Sequence, residues 1–208
     1  GSNTAFANYP NLTHGAGLMI RQHGDDRQKE LYLSRLWSGE WSGTMCLTEP
    51  GAGSDLGILK TKAKPRDDGT YLIEGVKTFI TAGQHDMRPN IIHPVLARIE
   101  GDPPGPKGIS LFIVPRNKVS EDGAIGENND VKCLGIEHKM GIKGSATCQL
   151  AFGEDGKCVG ELLGEKQKGL MIMFLMMNEE RLLVATQAMG VASTAYQLAL
   201  QYSRERAQ

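Results

Sequence analysis

Two short segments concentrate the residue types that do chemistry. The first, Thr48-Glu49-Pro50-Gly51-Ala52-Gly53-Ser54-Asp55, sets hydroxyls and acids around two glycines. Successive N–H groups at Gly51, Ala52 and Gly53, with the Ser54 hydroxyl beside them, would form a nest for phosphate oxygens. The same residues also read as a plain Pro-Gly turn. They do not make a dinucleotide fingerprint. GxGxxG needs glycine at 56, where Leu56 stands, and Ile58 to Lys64 reads as a strand, so no helix N-terminus faces a pyrophosphate. The second segment, Lys77-Thr78-Phe79-Ile80-Thr81-Ala82-Gly83, alternates a ring with hydroxyls. Alone, Phe79 reads as core packing. Together the segments suggest a flat heterocycle, with Thr48 and Thr81 bonding its edge, Phe79 shielding its face and Gly51 to Ser54 holding a pyrophosphate.

Other reactive types give less. His14, His23, His85, His93 and His138 show no HxxxH or HExxH spacing, so no metal site is expected. His85-Asp86 reads as a surface pair. Cys46, Cys133, Cys148 and Cys158 contain no CxxC and read as reduced, buried small hydrophobes, pointing to a cytoplasmic setting. Met171, Met173, Met176 and Met177 read as adaptable core lining. Glu179-Glu180-Arg181, which follows this apolar run, reads on its own as a solvated helix turn.

The elements that must position these groups follow from composition and periodicity. The 208 residues carry 23 Lys+Arg and 24 Asp+Glu, a net charge of −1, with 40% hydrophobic content. That composition excludes a disordered chain and offers no basic footprint for nucleic acid. The apolar run Gly169 to Met177 is stopped by Asn178, Glu179, Glu180 and Arg181, too short to span a membrane. Two short helices are expected between Asn11 and Leu36, broken at His23-Gly24, and Trp37 to Gly43 reads as a boundary. Ile58–Lys64, with three lysines on one face, Thr70–Glu74, Val76–Thr81, Ile91–Ile99, Ile109–Val114, Val131–Ile136 and Thr147–Phe152 read as strands of a sandwich or barrel. Asp102–Pro106 and Ser120–Asp130 read as loops. From Gly169 to Gln208 a proline-free stretch with Leu182, Ala185, Met189, Ala192, Tyr196 and Leu200 on one face reads as one long helix, with Gly190 permitting a close neighbour. The fold class is α+β: a middle all-β barrel or sandwich flanked by short N-terminal helices and one long C-terminal helix. Gly1-Ser2 reads as a cloning remnant, and the helix reads as cut at its end.

Met45-Cys46-Leu47-Thr48-Glu49-Pro50-Gly51-Ala52-Gly53-Ser54-Asp55, then Lys77-Thr78-Phe79-Ile80-Thr81 and Lys139-Met140-Gly141-Ile142-Lys143-Gly144-Ser145, resembles the acyl-CoA dehydrogenase family across nearly the whole chain. The resemblance implies a fragment: residues 1–40 closing an N-terminal helical domain, 41–158 a middle β-domain, and 159–208 a linker and the first helix of a C-terminal bundle. It implies FAD, with Cys46, Leu47, Thr48, Phe79 and Thr81 against the flavin and Gly53 and Ser54 at the pyrophosphate. Phe79 stands where members often carry Trp. Ser54, Ser145, Asn178 and Arg181 would contact the acyl-CoA, Asn178 replacing an Asp found in some members. The implied reaction is α-proton abstraction from an acyl thioester with hydride transfer from the β-carbon to flavin N5. Glu180 matches the base of a minority of members; in the majority the base lies beyond Gln208. The implied partners are electron-transfer flavoprotein and further copies of the chain, as a dimer or tetramer. An acyl-CoA oxidase, a non-catalytic relative with a binding role, and an inactive fragment that retains FAD weakly are the competing expectations.

Overall fold

The Asn3 side chain accepts the Phe6 N–H at 2.9 Å and opens α1, which runs Thr4–His23 through Pro10. This is earlier than the apolar pattern from Asn11 predicts, because a polar cap and not periodicity sets the start. A computed structural model describes residues 3–207; Gly1-Ser2 and Gln208 lie outside the described residues. The break at Gly24 is as expected. Asp25 then forms a capping box with Gln28. From there α2 (Asp26–Gln28), a π turn (Lys29–Leu33) and α3 (Ser34–Trp37) make one helical stretch. It is tied to the β-domain by Glu161, which accepts from Arg27 at 2.7 Å and from the Tyr32 hydroxyl at 2.8 Å.

The strands are β1 (Ser42–Gly43), β2 (Lys62–Pro65), β3 (Tyr71–Thr81), β4 (Ile91–Ile99), β5 (Ile109–Pro115), β6 (Asn117–Val119), β7 (Ile125–Asn128), β8 (Val131–Ile136), β9 (Thr147–Phe152) and β10 (Val159–Leu162). The main sheet runs β1-β4-β5-β10-β3-β9-β8, and β2 pairs with both β3 and β4. That double pairing closes β4, β5, β10, β3 and β2 into a barrel. Alternation sorts the side chains. Val95, Ala97, Ile99, Phe112 and Val114 fill the barrel. Ile92, Leu96, Ile109, Leu111 and Ile113 face the helices. Burial on both faces explains why β4 and β5 read as continuous apolar runs.

Some sequence expectations need correction. Ile58–Lys64 is a strand only from Lys62, after a 3-10 turn at Leu56–Ile58, although Lys60, Lys62 and Lys64 do share the exposed face. Ser120–Asp130 is not a plain loop: its Ile125–Asn128 part pairs with Asn117–Val119 as a hairpin. Cys133 is exposed, unlike the other three cysteines, because it stands on the edge strand β8.

The long helix is α4 (Gly169–Glu205). Its first half packs: Ile172, Met173 and Met176 are buried, while Met171 is exposed and Met177 half-buried. A Cβ on Gly15 would lie 2.6 Å from Met176 Cγ, so glycine there lets α1 and α4 touch. The apolar positions Leu182, Met189 and Tyr196 are exposed: Leu182 points away from α1, whose contact with α4 extends to Gln187, and no described element lies against the helix farther on.

A buried ion pair joins the two reactive segments. Lys77 Nζ lies 2.9 Å from Glu49 Oε1 and donates to the Leu47 carbonyl at 3.1 Å, with neither charged side chain more than slightly exposed. Glu49 also accepts from Thr61 Oγ1 at 2.6 Å, Thr61 N at 3.0 Å and Lys60 N at 2.6 Å. Beside it, Thr78 N–H donates to the Thr48 carbonyl at 2.9 Å. Burial raises the Glu49 carboxyl, but the Lys77 charge and these hydrogen bonds outweigh it and hold the group below its ordinary value. Burial pulls Lys77 down against the opposing effect of Glu49.

Removing one partner strands a buried charge. Glu49→Gln should therefore cost about 3–5 kcal/mol in urea unfolding. Replacing both, as Glu49→Leu with Lys77→Met, should cost less than either single change; equal or additive losses would contradict the pairing. The acid response follows from the depressed carboxyl. Its contribution is complete above the ordinary value of 4.5 and is lost as the pH falls through the folded value. Wild type should lose stability below that pH more steeply than Glu49→Gln, in melts recorded as a function of pH.

Candidate functional site

The first segment hangs from the barrel wall. Cys46 bridges to Val95, and Cys46 N–H donates to the Pro94 carbonyl at 3.0 Å, so the chain enters the segment pinned to β4. Glu49 and Ala52 then exchange N–H···O bonds of 2.9 and 3.1 Å around Pro50-Gly51. This is the Pro-Gly turn. The nest expected at Gly51 to Gly53 is not formed: the Ala52 N–H is spent closing the turn, and neither Gly51 nor Gly53 takes the left-handed conformation. Gly53 and Ser54 are exposed. A Cβ on Gly53 would meet nothing nearer than Thr48 Cγ2 at 3.8 Å, so open space adjoins the Thr48 side chain. Asp55 is turned to its own Gly57 N–H at 2.9 Å.

The second segment is bent by a register shift. β3 pairs with β9 as Lys77↔Leu150 and then Ile80↔Cys148, an irregularity between Lys77 and Ile80. Alternation from Tyr71 and Ile73 would put Phe79 inside; the extra residue puts Ile80 inside and Phe79 outside. Phe79 is 62% exposed with φ 59°, a strained conformation for an aromatic residue. This overturns the reading of Phe79 as core. Thr48 and Thr81 are half-buried, and their hydroxyls make no hydrogen bond among the described residues.

β9 carries the third segment to the same place. Thr81 pairs with Thr147, and Ala82 N–H donates to the Ala146 carbonyl at 2.7 Å. Ser145, next in line, is buried and its Oγ has no partner. Lys139 Nζ holds that loop, donating to the Ile142 and Ser145 carbonyls at 2.8 and 2.6 Å. Tyr9 of α1 docks here: its hydroxyl accepts from Ala146 N–H at 3.0 Å, and its ring stands edge-on to His85 at 5.2 Å. His85 is thus not a surface residue but half-buried, and burial followed by the Arg116 charge lowers its pKa.

The α4 residues reach this cluster through α1. His14 Nε2 lies 2.9 Å from Glu179 Oε1, and Gln187 Nε2 donates to the Thr4 carbonyl at 3.2 Å. Glu180 is half-buried, not a solvated turn, and its Oε1 is buried without a partner. Burial and then the Glu179 charge raise its pKa, against a smaller opposing effect of His14. Arg181 donates to Asn178 Oδ1 at 2.5 Å and lies 5.8 Å from the Phe174 ring centroid; both polar residues are exposed. A groove of about 710 Å³ lined by Tyr9, His14, Trp37, Trp41, Met87 and Arg88 opens beside α1 and contains none of the residues expected to hold the flavin or the acyl-CoA.

Sequence reasoning missed Glu49, Lys77, Tyr9 and His14. Lys77 did carry a signal: it continues the inward alternation of Tyr71 and Ile73, and a lysine at a core position demands a buried counter-charge. Tyr9 and His14 carried none, since their partners lie on distant strands and helices.

Residues 44–154 match the family described as acyl-CoA dehydrogenase, middle domain. The chain is 49% identical over 203 residues to a butyryl-CoA dehydrogenase of Syntrophomonas wolfei, covering 95% of this chain and 33% of that protein. It superposes on the structure of butyryl-CoA dehydrogenase from Megasphaera elsdenii with a TM-score of 0.80 and 33% identity, over 99% of this chain and 50% of the other. An acyl-CoA dehydrogenase from Bacillus anthracis complexed with FAD gives 0.74 and 34%, over 94% and 31%. The chain thus spans a third to a half of the length of these relatives. With a family match over more than half its length, the chain belongs to the acyl-CoA dehydrogenase family.

Proposed function

We propose that the protein to which these residues belong is an FAD-dependent acyl-CoA dehydrogenase that removes hydrogen from the α- and β-carbons of an acyl thioester. The observation that carries the reading is the outward, strained Phe79 held beside two unengaged threonine hydroxyls by the Glu49–Lys77 pair. Strained conformations of this kind cluster at active sites and ligand clamps. The donor set suits a flavin: the Phe79 ring and half-buried Leu47 offer apolar cover, Thr48 and Thr81 offer hydrogen bonds, and Gly53 with Ser54 offer open, exposed backbone for phosphate. Cys46, expected against the flavin, is fully buried, with its N–H on the Pro94 carbonyl and its carbonyl accepting from Leu96 N–H, so it anchors this face to β4 and offers no free group to it. When bound, FAD supplies the two-electron acceptor for the hydride from the β-carbon.

The chain's own residues have the remaining tasks. Ser54, Ser145, Asn178 and Arg181 are proposed to hold the acyl-CoA, and Ser145 Oγ is a buried donor still free to do so. Among the described residues Glu180 is the candidate proton acceptor. A half-buried carboxyl with raised proton affinity and an unpartnered oxygen suits a base that must take a weakly acidic α-proton. Electron-transfer flavoprotein as electron acceptor and assembly into a dimer or tetramer are proposed for the whole protein on the family resemblance.

In the full-length protein, Glu180→Gln should lower kcat by about 10²–10⁴-fold, the range for loss of a general base. Retained turnover would place the base outside residues 1–208. Flavin binding tests the other half of the reading. In absorbance titrations with FAD, Phe79→Ala and Thr81→Val should each weaken binding about tenfold or more, equivalent to about 1.4 kcal/mol; affinities equal to wild type would remove both residues from the flavin site.

A further inference from the structure

The outer strands of the sheet carry one cysteine each, next to the candidate flavin edge. On the β8–β9 ladder Cys133 pairs with Leu150 and Ile136 with Cys148, and the register shifts between Cys133 and Gly135. Leu150 and Cys148 are two apart and share a face of β9, so Cys133 and Cys148 are diagonal neighbours on that face. The Cys133 thiol leans along β8 toward the Cys148 end, donating to the Gly135 carbonyl at 3.5 Å. Cys133 is exposed and Cys148 is buried behind it.

We propose that Cys133 and Cys148 are a modification site: a dithiol that a small-molecule disulfide oxidises to a disulfide bond joining β8 to β9. In the first exchange the Cys133 thiolate attacks one sulfur of the small disulfide, forming a mixed disulfide and releasing one thiolate. In the second, the Cys148 thiolate attacks the Cys133 sulfur, forming the protein disulfide and releasing the second. The protein dithiol loses two electrons, the small disulfide gains them, and the protons of Cys133 and Cys148 pass to the two thiols released. The second exchange is the slow one. Burial, the largest cause, pushes the Cys148 thiol up and still acts once Cys133 is tied in the mixed disulfide, so the reactive thiolate is scarce until the pH rises. Cys148 pairs with Ile80, between Phe79 and Thr81, so a bond drawing its sulfur toward β8 acts directly on the bent part of β3. The inference rests on the strand register and stands whether or not the flavin reading holds.

The test uses the chain itself and oxidised glutathione as the disulfide, at about pH 8 where an ordinary thiol is partly ionised. Samples are quenched in acid, unfolded, alkylated, digested and read by mass spectrometry over time. The expected course is a glutathione adduct on Cys133 that converts to a Cys133–Cys148 linked peptide, faster at higher pH, with Cys46 and Cys158 alkylated throughout. Cys148→Ser should stop at the adduct, and Cys133→Ser should give neither product. A wild-type adduct that persists while Cys148 remains alkylatable would overturn the proposal. So would an unmodified Cys133, or a link from Cys133 to Cys46 or Cys158. The wild-type time course decides the matter even if a variant fails to fold.

Discussion

The arrangement of the candidate site depends on one buried charge pair. Lys77 stands at an inward position of β3, where an ammonium group is tolerated only if a counter-charge and hydrogen-bond acceptors meet it. Glu49 and the Leu47 carbonyl do so, at 2.9 and 3.1 Å. Glu49 is in turn held by Lys60 and Thr61, so three stretches of chain converge on one carboxylate. A segment that would otherwise be a free Pro-Gly turn is fixed to the barrel wall. The Thr78–Thr48 backbone bond runs beside this pair and sets Thr48 near the start of the bend that carries Phe79.

That bend is the second constraint, and it follows from the first. With Lys77 fixed inward and Ile80 also inward, one extra residue must be absorbed between them, and the register shift against β9 absorbs it. Phe79 is thereby expelled at positive φ. The local cost is strain of order 1–3 kcal/mol. It is offset by the pairing on either side, which also brings Thr81, Ala82 and the Ser145 loop into one cluster. The helices serve this cluster from outside: Tyr9 docks on Ala146, and Gly15 admits Met176 so that α4 can bring Glu180 close to α1.

Much of this was legible in the residues. Short apolar runs placed most strands, the Gly24 break placed the helix boundary, and the proline-free, periodic stretch from Gly169 placed α4. The three family-like segments were visible as motifs, and the structure gathers them on one side of the barrel. What could not be read was whatever depends on register. Taken alone, Phe79 looked like core because period-two alternation cannot foresee a bulge, and only its pairing with the Thr48 segment suggested an outward ring; the strand Ile125–Asn128 was hidden by loop-like composition. Of the two readings the Gly51–Ser54 stretch allowed, the Pro-Gly turn is the one formed, and sequence does not say which N–H groups a turn consumes. Cys133 looked like its buried counterparts because an edge strand is defined only by the partner it lacks.

The central claim is that the Thr48–Ser54 and Thr78–Thr81 segments form one rigid ligand face, fixed through Glu49 and Lys77. Amide hydrogen exchange on the chain, with and without excess FAD, tests it most directly. The account predicts slow exchange at Thr78 N–H in the free chain, and added protection on both segments together when FAD is present. Protection of one segment alone, or of neither, would contradict it.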